Sequence, residues 1–370
     1  MKDKQSTFII ISPGFAKDEK DSTCLPLQQN LIRAINRNYP SVNIIILALQ
    51  HPAVPSKYDW YENKVIAFGR RSKGKISTLL LWRKVWLCIK KLHKENNVKG
   101  LFSFWAGECA LIGNRFGKKY GIKHYCWILG QDAKKENKYA NRLRQNPEEL
   151  IALSDFIAEE FYKNHYAIPL HIIPPGIDTT QFLKDEPERN IDVLAAGSLI
   201  SLKQYEIFIS IVFKLKKIFP GIKAALCGKG PEEKKLKKLI SSFDLEDNIF
   251  LLGEKPHAEV LAMMQQTKIF IHPSSYEGFG VVCIEALYAS AHVISFCKPM
   301  YEPIENWHIV KNEDEMLHKA LDLLQNDNLE YTSVMPFSID DCAKKIMQLF
   351  NYNRTDFFNP SVHASDYQKY

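Results

Sequence analysis

Short apolar runs alternate with amphipathic stretches through most of this chain, and that alternation restricts its fold more than any other feature. Phe8–Ser12, Ile44–Leu49, Leu101–Phe104, His124–Leu129, Leu150–Leu153 and His171–Ile173 read as strands, followed by Asp192–Ala196, Ile222–Cys227, Ile249–Leu252, Ile269–His272 and Val293–Phe296. They are short and nearly continuous in apolar character, as strands covered on both faces must be. Between them Leu27–Arg37, Ser154–Asn164, Lys203–Phe219 and Pro231–Ser241 carry helical patterns. Pro26, with Ser22 or Thr23 as cap, starts the first, and Pro220-Gly221 stops the third. In the fourth, Glu232 and Glu233 follow Pro231, where acids favour a helix start. Such β-α alternation predicts parallel sheets covered by helices. A chain of 370 residues exceeds one core, and the polar stretch Asp178–Asn190 is the best linker. The expected fold class is α/β, with two Rossmann-like domains facing a cleft and ligands at the carboxyl ends of the strands.

No apolar run reaches the roughly 18 residues of a membrane-spanning helix. The run Phe8 to Ile11 is too short for a signal-peptide core, so a cytoplasmic protein is expected. The eight cysteines form no CxxC pair and mostly sit in apolar runs. They read as reduced, small core residues, neither disulfides nor zinc ligands. The net charge of +7 is local: Arg70 to Lys99 holds ten basic residues and one acid. Within it, residues 76–94 place Leu79, Trp82, Val85, Trp86, Ile89 and Leu92 on one helical face, with Lys84, Lys91, Leu80 and Leu87 on the other side. This pattern suits either a solvated helix or the surface of an anionic membrane, and both readings stay open. Nucleic acid is not expected, because no helix-turn-helix, zinc-finger or RNP-type pattern occurs.

The most informative window is Lys268–Phe296, where the strand Ile269–His272 runs through Pro273-Ser274-Ser275 into the loop Tyr276-Glu277-Gly278-Phe279-Gly280. A helix is predicted from Val281 to about Tyr288. Its start offers unpaired N–H groups and the positive dipole end, a natural seat for phosphate. Gly278 and Gly280 are expected to let the backbone approach that anion. Glu277 before the helix and Glu285 within it are placed to accept hydroxyls from the two ends of a sugar–diphosphate–nucleoside.

The segment Glu277–Glu285, EGFGVVCIE, resembles the E-x7-E motif of the retaining nucleotide-sugar glycosyltransferases of family 4, which have the two-domain GT-B fold. Four further stretches resemble that family's landmarks in the same order: Pro174-Pro175-Gly176-Ile177-Asp178, Ala196-Gly197-Ser198-Leu199 with Lys203, Cys227-Gly228-Lys229-Gly230-Pro231, and Phe250-Leu251-Leu252-Gly253. The resemblance implies a nucleotide-sugar donor domain over 186–337 and an acceptor domain over 1–185, with a terminal segment 338–370 returning to the latter. It also implies roles. Glu277 would hold the donor sugar, the Phe279, Gly280 and Val281 backbone the diphosphate, and Glu285 the ribose. Lys203 would neutralise the leaving diphosphate, with Ser198, Lys229 and Gly230 beside it. No cofactor is expected, and no Asp-x-Asp pair calls for a metal.

Three departures stand out: Ser198 where the family usually has Arg, Leu129 where it often has His, and Phe296-Cys297-Lys298-Pro299-Met300 in place of a glycine pair. Lys298 is a candidate replacement charge. On the acceptor side Trp105 is a candidate for stacking on a sugar ring, and Gln131 and Asp132 for binding its hydroxyls. The expected activity is hexose transfer to a hydroxyl of a glycan or lipid-linked saccharide, as in polysaccharide biosynthesis. The alternatives are an impaired nucleotide-sugar-binding homologue and an epimerase on the same fold. A nicotinamide enzyme is disfavoured by the lack of GxGxxG.

Overall fold

The computed structural model describes residues 5–69, 74–184 and 187–352. Among them fourteen strands form two sheets. The first comprises β1 (Ser6–Gly14), β2 (Asn43–His51), β3 (Ser56–Trp60), β4 (Asn63–Ala67), β5 (Asn97–Phe104), β6 (Lys123–Ile128), β7 (Leu150–Ala152) and β8 (His171–Ile172). Its spatial order is β3-β4-β2-β1-β5-β6-β7-β8, parallel throughout except for β3 against β4. The second comprises β9 (Ile191–Ala196), β10 (Ala224–Cys227), β11 (Ile249–Gly253), β12 (Thr267–His272), β13 (His292–Ser295) and β14 (Trp307–Ile309). Its order is β11-β10-β9-β12-β13-β14, all parallel. Each of the eleven apolar runs forms a strand; the β3–β4 hairpin and β14 are additional. The chain is an α/β protein of two Rossmann-like sheets.

Successive residues of a strand face opposite ways, and the cores follow that rule. On β1, Phe8 and Ile10 pack with Phe102, Phe104 and Trp127 on one face, while Ile9 and Ile11 pack with Ile45, Leu47 and Leu101 on the other. The first face is covered by the helix Pro26–Asn38 and by the last described helix, Ile339–Leu349. Phe350 lies edge-on to Phe8 at 4.7 Å and to Tyr125 at 4.9 Å, so the C-terminal helix packs on the first sheet. The two chain crossings between the sheets run side by side: Ile177 N–H donates to Phe337 O at 2.9 Å, and Ile339 N–H donates to Ile177 O at 3.1 Å.

Local details correct several expectations. Neither Ser22 nor Thr23 caps the first helix: its N-cap is Leu25, in left-handed conformation with no side-chain cap. The helix expected over Lys203–Phe219 spans Tyr205–Lys216, because Gln204 turns left-handed and separates it from a 3-10 turn at Ser201–Lys203. The basic helix spans Lys75–Glu95, burying Leu81, Val85 and Ile89. Leu79, expected on the core face, is 63% exposed, as are Ile76 at 76%, Leu80 at 54% and Leu87 at 52%. Arg70, Arg71 and Lys73 of the basic segment and the tail beyond Tyr352 lie outside the described residues. No helix among the described residues is long and apolar enough to cross a membrane.

Candidate active site

The carboxyl ends of both sheets meet at a cavity of about 440 Å³. From the first sheet it takes Trp105 after β5, Leu129 after β6 and Leu153 after β7; from the second, Ser198 after β9, Lys229 after β10 and Glu254 after β11. Ligands of open parallel sheets sit at such strand ends.

One wall is the strand–loop–helix unit that begins at β12. The helix Val281–Tyr288 starts on Gly280, whose φ of 82° is left-handed, and no side chain caps it. An uncapped helix start facing a cavity is a ready anion site. Glu277 lies before that start and lines the cavity. Its carboxylate accepts from His272 Nε2 at 2.9 Å and from Lys203 Nζ. Lys203 reaches it because Ser275 N–H and the Ser274 hydroxyl both donate to Leu202 O, docking the 3-10 turn onto the β12 exit. Burial works to raise the Glu277 carboxyl, but the His272 hydrogen bond and the Lys203 charge outweigh it and hold the group at about 2. Burial pulls His272 down, so its neutral ring presents Nε2–H to the carboxylate.

Glu285, a turn and a half into the helix, lines the same cavity. Its carboxylate accepts from His257 Nε2 at 2.8 Å, and His257 Nδ1 lies 3.1 Å from Gln181 Oε1. Burial would lower His257, but the Glu285 charge more than offsets this and raises it. The sequence carries little signal for either histidine, since a lone His in an apolar context is most often a core residue. His272 is marked only by its place directly before Pro273 at a strand end, and His257 by its place at a helix start.

Of the other expected site residues, Ser198, Lys229, Phe279, Gly280, Val281 and Trp105 line the cavity. Trp105 is half-buried and left-handed at φ 64°, a strained geometry for a bulky residue. Four assignments need correction. Asp132 does not offer its carboxylate to a ligand: it is buried and accepts from the backbone N–H groups of Ala106 at 2.7 Å, Gly130 at 2.8 Å and Leu129 at 3.1 Å. Burial pushes this carboxyl up to about 6 against those donors. Gln131 is exposed, and neither it nor Lys298 lines the cavity. Gly230 is not in the lining either; a Cβ there would meet Leu199 O at 2.3 Å, so it serves the packing of two loops.

Gly278 lines the cavity and has a second use besides the one expected. A Cβ on it would lie 2.1 Å from Leu129 O, across the cleft. Its own carbonyl accepts from the Ser154 hydroxyl at 2.6 Å, and Tyr276 O–H donates to Gly130 O at 3.1 Å. Gly278 therefore permits the two halves to close on each other. The segment that replaces the glycine pair also docks on the first half: Phe156 N–H donates to Pro299 O at 3.1 Å, and Tyr301 N–H donates to Asp155 at 2.8 Å.

Comparison with known proteins agrees with this geometry. Residues 177–337 match the family described as glycosyl transferases group 1. Among curated proteins, the gpi3 subunit of phosphatidylinositol N-acetylglucosaminyltransferase from Schizosaccharomyces pombe is 27% identical over 127 residues, covering 34% of this chain and 28% of that protein. The poly(ribitol-phosphate) alpha-N-acetylglucosaminyltransferase of Staphylococcus aureus is 23% identical over 262 residues, covering 63% of this chain and 51% of that one. The chain thus spans between about a quarter and a half of these relatives' lengths. Two solved structures superpose over nearly the whole chain. Sucrose-phosphate synthase from Thermosynechococcus elongatus has a TM-score of 0.73 at 15% identity, covering 94% of this chain and 98% of its own. Anabaena HepE in complex with UDP and glucose has a TM-score of 0.68 at 15% identity, covering 95% and 100%. Residues 177–337 thus match the group 1 glycosyl transferases, and the two sheets of this chain share the GT-B architecture of the superposed structures.

Proposed function

We propose that the chain transfers a hexose from a nucleoside diphosphate sugar to a hydroxyl of a glycan or lipid-linked saccharide, with retention at the anomeric carbon. The reading rests above all on the Glu277 carboxylate, held between Lys203 and His272 beside the uncapped helix start at Gly280. The helix start and Lys203 receive the diphosphate, Glu277 the sugar hydroxyls and Glu285 the ribose. Lys229, exposed on the cavity rim, adds positive charge. Relatives named as N-acetylglucosaminyltransferases and a neighbour solved with UDP and glucose support the same substrate class.

The charge state of Glu277 bears on the mechanism. A carboxylate held at about 2 and paired to a lysine is a weak base and a weak nucleophile, so it positions rather than reacts. In the proposed step the bond from the anomeric carbon to the phosphate oxygen breaks, and the diphosphate keeps the electron pair. The acceptor oxygen bonds to the same face, and its proton passes to the departing phosphate oxygen. Lys203 and the helix amides stabilise the charge that grows there, and nothing in this step requires a metal.

The acceptor enters from the Trp105 side of the cleft. Exposed Leu80 and Leu87 interleaved with exposed Lys84, Lys90 and Lys91 fit an anionic membrane surface, where lipid-linked acceptors reside. Product formation from a panel of nucleotide sugars and lipid-linked or free glycans tests the reading. Transfer that is abolished in Glu277→Ala with the fold intact supports it, and transfer unaffected by that change refutes the site. A glycosyl-enzyme trapped on Glu277 would overturn the mechanism.

A further inference from the structure

Directly beneath the Gly280 elbow lies a second cluster of chemically capable side chains, of which the sugar-transfer reading uses only His272, through its contact with Glu277. Cys283 is in the first turn of the helix Val281–Tyr288, Cys297 follows β13, and His272 ends β12. One ring nitrogen of His272 and the sulfurs of Cys283 and Cys297 all lie within 4.8 Å of one another. His272 and Cys283 are buried and Cys297 is half-buried. A Cβ on Gly280 would meet Cys297 Sγ at 3.2 Å and Cys283 Sγ at 3.4 Å, so both sulfurs abut the elbow backbone.

The decisive detail is the histidine. Its Nε2–H is committed to Glu277 at 2.9 Å, while its Nδ1 is buried and has no hydrogen-bond partner. A buried polar atom without a partner is uncommon and calls for an explanation. A carboxylate that fixes the tautomer of a histidine and leaves the other nitrogen's lone pair free is the outer-shell arrangement of metal-ligating histidines. Two thiols beside such a ring make a donor set for a thiophilic cation.

We propose that His272, Cys283 and Cys297 bind a thiophilic divalent metal ion of the Zn2+ class. Water or the Ser295 hydroxyl, 3.4 Å from Cys297 Sγ, completes a four-coordinate shell. On binding, two metal–sulfur bonds and one metal–nitrogen bond form, both thiols release their protons to solvent, and no group changes oxidation state. Two thiolates neutralise the dication, which suits a buried site. The ion would pin the β12 exit, the helix start and the β13 exit together, stiffening the loop that carries Glu277. Spacing along the sequence hides this set, since eleven and fourteen residues separate its members. The proposal goes beyond sugar transfer and stands or falls apart from it.

The test uses the full chain, reduced and stripped with a chelator. Zn2+ alone is titrated against a chromophoric indicator, and Co2+ serves as a spectroscopic probe. The expected result is one equivalent bound per chain, two protons released, and a thiolate-to-cobalt charge-transfer band with tetrahedral d–d absorption. Cys283→Ser and Cys297→Ser should each abolish the band and weaken Zn2+ binding at least tenfold. If Cys283→Ser fails to fold, the half-buried Cys297 position decides. Cys24→Ser, in a separate cluster with Asp21 and His51, should change nothing. Absence of binding to the reduced protein, undiminished binding in Cys297→Ser, or loss of binding in Cys24→Ser overturns the proposal.

Discussion

His272 Nε2 lies 2.9 Å from the carboxylate of Glu277, five residues later in the chain, so the strand end orients the acid that the loop presents to the cleft. Together with Lys203 on the facing turn, this fixes both the rotamer and the charge of Glu277. Replacing Glu277 by Gln keeps the shape and removes the charge. Transfer should fall by about 100- to 1,000-fold, the usual scale for one electrostatic group of this kind. The melting temperature should fall, because the ionised carboxylate stabilises the fold and Lys203 loses its partner. Initial rates with circular dichroism melts on the same samples check this; a rate within a factor of a few of the parent would count against the role assigned to Glu277.

The His257–Glu285 contact carries a pH signature. The folded pKa of His257 is raised above its usual 6.5, because Glu285 outweighs the burial that would lower it. Its contribution to stability is therefore complete below about 6.5 and is lost as pH rises through the raised value. The melting-temperature gap between the parent and His257→Gln should narrow from pH 6 to pH 9. A gap that is constant or widens over that range contradicts the assignment.

Gly278→Ala tests how the halves meet. The added methyl would sit 2.1 Å from Leu129 O, so the cleft must open or the loop must shift. Overpacking of this sort costs about 1–3 kcal/mol. Small-angle scattering should show a larger radius of gyration, and transfer should fall even though no substrate-facing side chain has changed. Unchanged scattering and activity would show that the contact is not needed.

Membrane contact is tested at the basic helix. Neutralising Lys84, Lys90 and Lys91 together should weaken binding to vesicles rich in anionic lipid by about 3 kcal/mol, or roughly a hundredfold, at about 1 kcal/mol per basic residue. Neutral vesicles should show no such difference. Equal sedimentation of parent and variant with anionic vesicles removes the idea.

Much of this architecture can be read from the sequence because parallel strands buried on both faces, such as Phe8–Ile11 and Ile44–Leu49, must be continuously apolar. The β3–β4 hairpin escapes that test: Lys57, Asp59 and Lys64 are polar and exposed at a sheet edge, and β14 has only three residues. Glu277 and Glu285 are legible because a strand, a glycine-containing loop and a helix start constrain where they lie, whereas Lys203 is reached only through the motif resemblance. Asp132 and Gly230 are not, since their type suits ligand binding as well as the backbone packing that uses them. Gly278 shows the same ambiguity: it lines the cavity, and its lack of a side chain is also needed for close approach to Leu129 of the other half. His272 and His257 are invisible until folding sets each beside a carboxylate.

Calorimetric titration of UDP- and GDP-sugars into the parent and into Lys203→Ala is the most direct check that this cleft grips a nucleoside diphosphate sugar. The account predicts one site per chain for at least one donor, with affinity lowered about tenfold or more (~1.4 kcal/mol) in the variant. No measurable heat from any nucleotide sugar, or equal affinity in the two proteins, would contradict it.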